Sequence, residues 1–314
     1  MRKKGIAGIL VLMLSLGICN VANASVSEQD DFDLSLCDVK FIDKEELDMF
    51  RSNETKGYSM EGDIQKAEKI MRELGIAEDI IFTLPEDKKL KYLDSEGLEM
   101  TTAYYAVDSE GNTEQVSKAE HDAIVESYNN EVALFGGSNG NETIRQGAMT
   151  LGHIRNYIGN GRYVLSANLT WSTLPGQRKK DVLSIASDVL SFYPDTQYGQ
   201  TTYRLNNQLQ LYSFDQYDNE IANSHGYAVI MQLPHDPVSP VDTLSNLMLH
   251  LESEATVPNP NQPSMALQST AQYFHQYLAL DFTPSVGWGS GTISLNFSNR
   301  YEEVRARIVN DYTV

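Results

Sequence analysis

Hydrophobic residues recur at every second position through most of the second half of this chain. Tyr163, Leu165, Ala167, Leu169 and Trp171 share one parity; beyond a short basic turn, Val182 and Ala186 share one parity and Leu183 and Ile185 the other. Tyr203, Leu205, Leu209 and Leu211 alternate with Arg204, Asn206, Gln208 and Gln210, and Leu247, Leu249 and Leu251 alternate with Met248, His250 and Glu252. Further runs cover 144–157, 227–233, 272–282, which includes Phe274, Leu278 and Leu280, and 293–297. A period of two is that of a strand with two unlike faces. Residues 304–308 read as a last strand, or as a helix beginning near Glu302. The pattern predicts about eight or nine strands joined by turns, without amphipathic helices between them, which is the signature of an antiparallel sandwich or barrel.

The first half reads differently. Ile64, Ala67, Ile70, Met71 and Leu74 fall at helical spacing, with Gly75 placed where a helix stops. Shorter helical segments are expected at 43–50, 78–82 and from Glu86, the last following Leu84-Pro85. One strand, near residues 98–107, runs into the turn Asp108-Ser109-Glu110-Gly111-Asn112. Ser117 with Glu120 forms a capping box that opens another helix. Phe135-Gly136-Gly137-Ser138-Asn139-Gly140-Asn141 is the strongest linker composition in the chain. The expected fold class is therefore α+β: an α-rich region with one strand over 25–135, a linker at 136–142, and a β-sandwich domain over 143–314.

Composition adds a compartment. Arg2, Lys3 and Lys4 precede an apolar run over 6–18 and the small-residue pattern Ala22-Asn23-Ala24, which together read as a secretory signal peptide over 1–24, cleaved after Ala24. The apolar run is too short for a stable transmembrane helix, and the mature chain is expected to have no transmembrane segment. Ile18 before Cys19 argues against a lipoprotein anchor. The mature chain carries 43 acidic residues against 21 basic ones, the 24 of the whole chain less Arg2, Lys3 and Lys4. Such a surface repels phosphate backbones, so nucleic acid is not an expected partner. Cys37 is left as the one cysteine of the mature chain, which excludes an internal disulfide and puts the burden of stability on a core.

The chemistry-bearing residues form no reactive motif. His121, His153, His225, His235, His250 and His275 make neither H-E-x-x-H nor H-x-H spacing. His235-Asp236 lies between prolines and reads as a loop pair, while His250 and His275 sit on strands and would need further converging groups to hold a metal. Gly289-Ser290-Gly291 is a turn rather than a nucleophile elbow. Cys37 lacks any thiol-protease context, and the acidic turns 108–112 and 215–220 lack the oxygen spacing of a calcium loop. No cofactor is expected. The abundant tyrosines, among them Tyr104, Tyr105, Tyr198, Tyr203, Tyr212 and Tyr217, read first as strand formers.

One stretch stands apart. Trp171, Pro175, Arg178 and Asp181 follow the spacing W-x3-P-x2-R-x2-D between two strands. This resembles a motif of uncharacterised secreted proteins of Gram-positive bacteria, in which a strand ending in Trp leads through Pro and Arg to an Asp that starts the next strand. Here the turn is more basic, with Gln177-Arg178-Lys179-Lys180. The resemblance implies no activity. On physical grounds Trp171 offers a large buried surface, Pro175 fixes the turn, and Arg178 and Asp181 are close enough to pair. A structural clamp is the expected role and a recognition surface the alternative. Trp171 should pack inward, and Asp181 should sit in a partly exposed turn and matter less. The functional expectation is a secreted, non-enzymatic binding or interaction module whose partner is an extracellular protein or glycan. The alternatives are a secreted hydrolase with a site assembled only in three dimensions, and a β-rich toxin or bacteriocin-like protein.

Overall fold

The computed structural model describes residues 32–52, 60–108, 112–135, 147–172, 180–213, 220–234, 244–259, 264–276, 286–289, 291–295 and 301–313. The signal peptide, the linker at 136–142, Pro175, Arg178 and the His235-Asp236 pair lie outside them.

The N-terminal part begins with strand β1 (Asp38–Ile42) and helices α1 (Lys44–Ser52), α2 (Met60–Leu74), α3 (Glu78–Thr83) and α4 (Glu86–Leu93). Strands β2 (Gly97–Val107) and β3 (Thr113–Val116) and helix α5 (Lys118–Phe135) follow. Next come β4 (Gly147–Tyr157), β5 (Arg162–Trp171), β6 (Lys180–Ser187), β7 (Ser191–Phe192), β8 (Tyr198–Leu205) and β9 (Gln208–Ser213). The chain continues through β10 (Glu220–Asn223), β11 (Gly226–Gln232), β12 (Leu244–Thr256), β13 (Ser264–Gln276), β14 (Val286–Trp288), β15 (Ile293–Leu295) and β16 (Tyr301–Thr313).

Local signals act as their chemistry demands. Helix α2 ends where Gly75 turns left-handed at φ +92, a conformation glycine enters without a Cβ penalty. The Gly75 N–H donates to the Arg72 carbonyl and the Ile76 N–H to that of Met71, closing the last turn. At α5 the Ser117 N–H and hydroxyl both donate to Glu120 Oε2, while Ser117 Oγ accepts from the Glu120 N–H, a completed capping box. Asp108 closes its turn by accepting from the Asn112 backbone and side-chain amides.

The strands form two large antiparallel sheets and a hairpin. The first sheet runs β1-β2-β4-β5-β12-β8-β9, with β3 on β2 and β7 on β12; the second runs β10-β11-β6-β13-β16; β14 and β15 pair with each other. Trp171, Leu169, Leu165, Leu249 and Leu251 of the first sheet share one buried cluster with Leu183, Ile185, Val229, Tyr273 and Val304 of the second. That cluster is the sandwich core. The opposite face of the first sheet packs on the helices, where Leu98, Met100 and Ile154 meet Leu47, Ile70, Met71, Leu74 and Ile80. Val182, Ile230 and Phe274 on the outer face of the second sheet meet Ile293 and Leu295 of the hairpin.

Two expectations change. The region 25–135 contributes three strands rather than one, and β2 pairs with β4 over its whole length, from Gly97↔Tyr157 to Val107↔Gly147. The region before the linker and the region after it therefore build one sheet, not two separate domains. Thirteen described strands follow the linker, because several alternating runs break into short pieces such as β7 and β10. Residues 304–308 lie in strand β16.

His153 sits on the inter-sheet face of β4, fully buried; its Nδ1 lies 3.0 Å from the Ser166 carbonyl and its Nε2 2.8 Å from Ser269 Oγ. Burial, helped by the nearby Arg155 charge, pushes its imidazole down to about 4 from 6.5. Its folded value is depressed, so its contribution is complete above pH 6.5 and is lost as pH falls toward 4. Going from pH 7.5 to 4.5 should cost roughly 2–3 kcal/mol through this residue. Urea melts at both pH values should show that loss in the parent and a smaller one in His153→Gln; equal losses would show that His153 is not the sensor.

Candidate functional site

Trp171 and Asp181 do not flank a hairpin. Trp171 ends β5 in the first sheet and Asp181 lies near the start of β6 in the second, so the segment joining them carries the chain from one sheet to the other. Trp171 is 2 % exposed, and its Nε1–H donates to the Tyr273 hydroxyl at 3.1 Å. The Tyr273 hydroxyl in turn donates to Asp181 Oδ2. The same oxygen is 2.9 Å from His275 Nδ1, and Asp181 Oδ1 accepts from the Gln276 N–H at 3.0 Å. Burial first, and then the Asp181 charge, hold the Tyr273 phenol protonated well above its ordinary range.

Asp181 is fully buried, which corrects the expectation of a partly exposed turn residue. The cause is its place on β6, an inner strand of the second sheet, where Tyr273, His275 and Gln276 of the neighbouring β13 surround the carboxylate. The His275 ring lies edge-on to Trp171, with centroids 5.1 Å apart. This Asp–His pair is buried beside Trp171 and Tyr273. His275 lies on β13 of the second sheet and His250 on β12 of the first, so the two do not converge. Cys37 is half-buried beside Gln115, and burial pushes its thiol up to about 11, so it stays protonated and inert at neutral pH.

A cavity lies on the other face of the first sheet, beside the junction of α2 and α3. It encloses about 290 Å³. Its floor includes Asp38, Thr102, Gly152 and Asn168, which antiparallel register places side by side, and the same line continues beyond the cavity through His250 and Gln200. The same face is apolar where Leu98, Met100 and Ile154 meet the helices, and carries further polar residues at Ser166, Thr170 and Glu252. Gly152 leaves room in the floor for the end of Met100: a Cβ there would lie 2.6 Å from Met100 Cε, 3.7 Å from the Asn168 carbonyl oxygen and 3.8 Å from Asn168 Cβ. Thr150 and Thr170, directly opposite each other on β4 and β5, continue the floor. Leu74, Ile76, Ala77 and Ile80 form the wall.

Asn168 carries the unsatisfied polar group of this floor. It is 6 % exposed and lines the cavity, and its Nδ2 has no hydrogen-bond partner. Its Oδ1 is 2.7 Å from His250 Nδ1. His250 Nε2 lies 3.4 Å from Glu252 Oε2, and Glu252 Oε1 is 3.2 Å from Lys88 Nζ and 3.6 Å from Lys91 Nζ. Burial raises the Glu252 carboxyl, but His250, Lys88 and Lys91 overcome it and hold the group down at about 2, so it stays a carboxylate. With its oxygen toward His250, the Asn168 amide leaves its nitrogen without a protein partner.

The charged groups at the mouth are already engaged. Asp38 accepts from the Tyr104 hydroxyl at 2.6 Å, Lys40 Nζ donates to the Glu73 carbonyl at 2.7 Å, and Lys118 pairs with Asp122. Asp38 is the one carboxylate among the described residues that line the cavity. None of Asn168, Gly152, Thr102 or Thr150 stands out in the sequence. The available signal was that β5 carries Ser166, Asn168 and Thr170 on one parity, a run that reads as a solvated face.

No family model matches the sequence, and no similar curated protein was found. The class defined by the coordinates is an antiparallel β-sandwich with a helical layer on one face. Among solved structures, the collagen-binding domain of a Staphylococcus aureus adhesin is 9 % identical, with a TM-score of 0.27 over 48 % of this chain and 89 % of that one. The collagen-binding domain of Erysipelothrix rhusiopathiae surface protein RspB is 8 % identical, with a TM-score of 0.27 over 71 % of this chain and 67 % of that one. The collagen-binding subdomain of Enterococcus faecalis surface protein ACE is 6 % identical, with a TM-score of 0.24 over 48 % and 88 %. Scores of this size set neither a fold nor a ligand for this chain. No helix of the described residues is long and apolar enough to cross a membrane.

Proposed function

We propose that this chain is an exported protein that acts outside the cell by binding rather than catalysis, with a small ligand held in the cavity between the first sheet and helices α2 and α3. The observation that carries this reading is the Asn168 amide, buried, held by His250 and left with an unpartnered N–H pair in a residue that lines the cavity. A buried donor without a partner costs about 1–3 kcal/mol, a cost that a ligand acceptor relieves. Export rests on the pattern of residues 1–24, and the mature chain begins at Ser25.

The test uses protein recovered from culture fluid, with its first residue determined. Ligand-detected NMR against monosaccharides, short carboxylates, amino acids and inorganic phosphate should find a saturable binder. Gly152→Val should abolish that signal while retaining a cooperative melt, because the new side chain fills the cavity in a strand that suits it and Met100 has a flexible end to move. No binder from any class, or a binder indifferent to Gly152→Val, overturns the reading.

A further inference from the structure

We infer that the cavity takes a neutral saccharide ring, recognised by the Asn168 amide and the hydroxyls of Thr102, Thr150 and Thr170. The inference rests on the reading that this cavity is the ligand site, and adds the chemistry of what fills it.

Charge comes first. Asp38, Lys40 and Lys118 at the mouth each already have a partner of opposite polarity within the protein. The charges of Lys40 and Lys118 are offset in number by those of Asp38 and Asp122, so an ion entering here would lose its hydration without meeting a net opposite charge. Burying an uncompensated charge is far more costly than burying a neutral polar group. The chemistry therefore selects an uncharged ligand.

Hydrogen-bonding capacity comes second. Asn168 Nδ2 can only donate, so it needs an oxygen acceptor. The three threonine hydroxyls each donate one hydrogen bond and accept others, and none is fully buried. A ligand matching this floor must carry several groups that both donate and accept. Sugar hydroxyls do so; a ketone, an ester or a hydrocarbon does not. Thr150 and Thr170 are opposite one another, and Thr102 and Asn168 flank Gly152 in the next cross-strand line. Polar groups thus line the cavity on one side, while Leu74, Ile76, Ala77 and Ile80 face it from the helices. A pyranose ring has this division, with hydroxyls at its edge and C–H groups on its face.

Size comes third. About 290 Å³ is at the lower end of ligand pockets, which run from about 300 Å³, and suits one ring rather than a chain of rings. His250 lies behind the floor, does not line the cavity, and holds the Asn168 amide through the contact between Nδ1 and Oδ1.

The experiment compares glucose, galactose and N-acetylglucosamine with acetate, propionate and phosphate by saturation-transfer NMR and titration on the full mature chain. At least one sugar should bind saturably, and the three anions should not. Asn168→Asp keeps the shape and the His250 contact but removes the donor, and should weaken sugar binding at least tenfold. Thr170→Val, at a half-exposed position where folding is not at stake, should weaken it several-fold. Sugar binding unchanged in both variants overturns the assignment. Binding of an anion but no sugar, abolished by Gly152→Val, overturns the saccharide while leaving the cavity as the ligand site. Absence of any binder, or binding untouched by Gly152→Val, overturns both.

Discussion

Trp171→Ala is expected to remove about 3–5 kcal/mol of stability, the range for truncating a buried large aromatic side chain. Folded domains have only about 5–15 kcal/mol to lose, so this one change should consume a large share of it. Trp171 is 2 % exposed and belongs to the cluster between the two sheets, at the end of β5 where the chain leaves one sheet for the other. Its loss opens a void under the crossing and removes the donor to the Tyr273 hydroxyl. Trp171→Phe separates these two effects, since it keeps most of the apolar volume and loses the N–H; it should cost less than half as much. Urea melts of the two variants test this. If Trp171→Ala melts close to the parent but fails to bind a partner, the residue belongs to a recognition surface and the packing argument is wrong.

Much of the fold was legible because the signals are local. The period of two in residues 163–171 and 247–251 identifies strands with one buried face, and each of these residues does lie in β5 or β12. The spacing of Ile70, Met71 and Leu74 identifies the buried face of α2, and Ser117 with Glu120 marks the start of α5. What the period cannot carry is the identity of the neighbouring strand. A strand, a turn and another strand look the same whether they form a hairpin or cross between sheets, and β5 and β6 cross. The same blindness put a domain boundary between β2 and β4, which are paired along eleven residues each. A glycine-rich linker reports freedom in the chain between two strands and says nothing about whether they later meet.

The candidate site was not legible, for a related reason. Asp38, Thr102, Gly152, Asn168, His250 and Gln200 come from six strands spread over more than half the chain, and become a line only through register. In each strand alone, the polar residue looks like part of a solvated face. Helices α1–α4 cover part of that face, so Asn168, His250 and Gln200 are buried where their pattern suggests exposure, while Asp38 at the sheet edge stays exposed. Charge balance shows the same effect: Glu252 is fully buried on β12 and is matched by Lys88 and Lys91 from α4, three residues that nothing in their spacing associates.

Asp181→Ala should destabilise the protein nearly as much as Trp171→Ala, where a turn residue would have cost about 0–1 kcal/mol. The difference is burial. Asp181 has no exposed surface, and its two oxygens serve the Tyr273 hydroxyl, His275 Nδ1 and the Gln276 N–H. Truncation to alanine leaves all three without their acceptor inside the core and opens a small void as well. Each orphaned buried donor costs about 1–3 kcal/mol, and breaking a buried charged pair typically costs about 3–5 kcal/mol. Asp181→Asn is the informative partner variant. It keeps the volume and an oxygen to accept from Gln276, but its amide places a donor or a second neutral oxygen where Tyr273 and His275 meet a carboxylate. It should therefore fall between the parent and alanine. The Tyr273 phenol offers an independent readout, because the Asp181 charge adds to burial in holding it protonated. In Asp181→Asn, Tyr273 should ionise at lower pH than in the parent, seen by ultraviolet titration while the protein remains folded. An Asp181→Ala variant that melts within about 1 kcal/mol of the parent would place this carboxylate back among ordinary surface groups, whose typical worth is about that size.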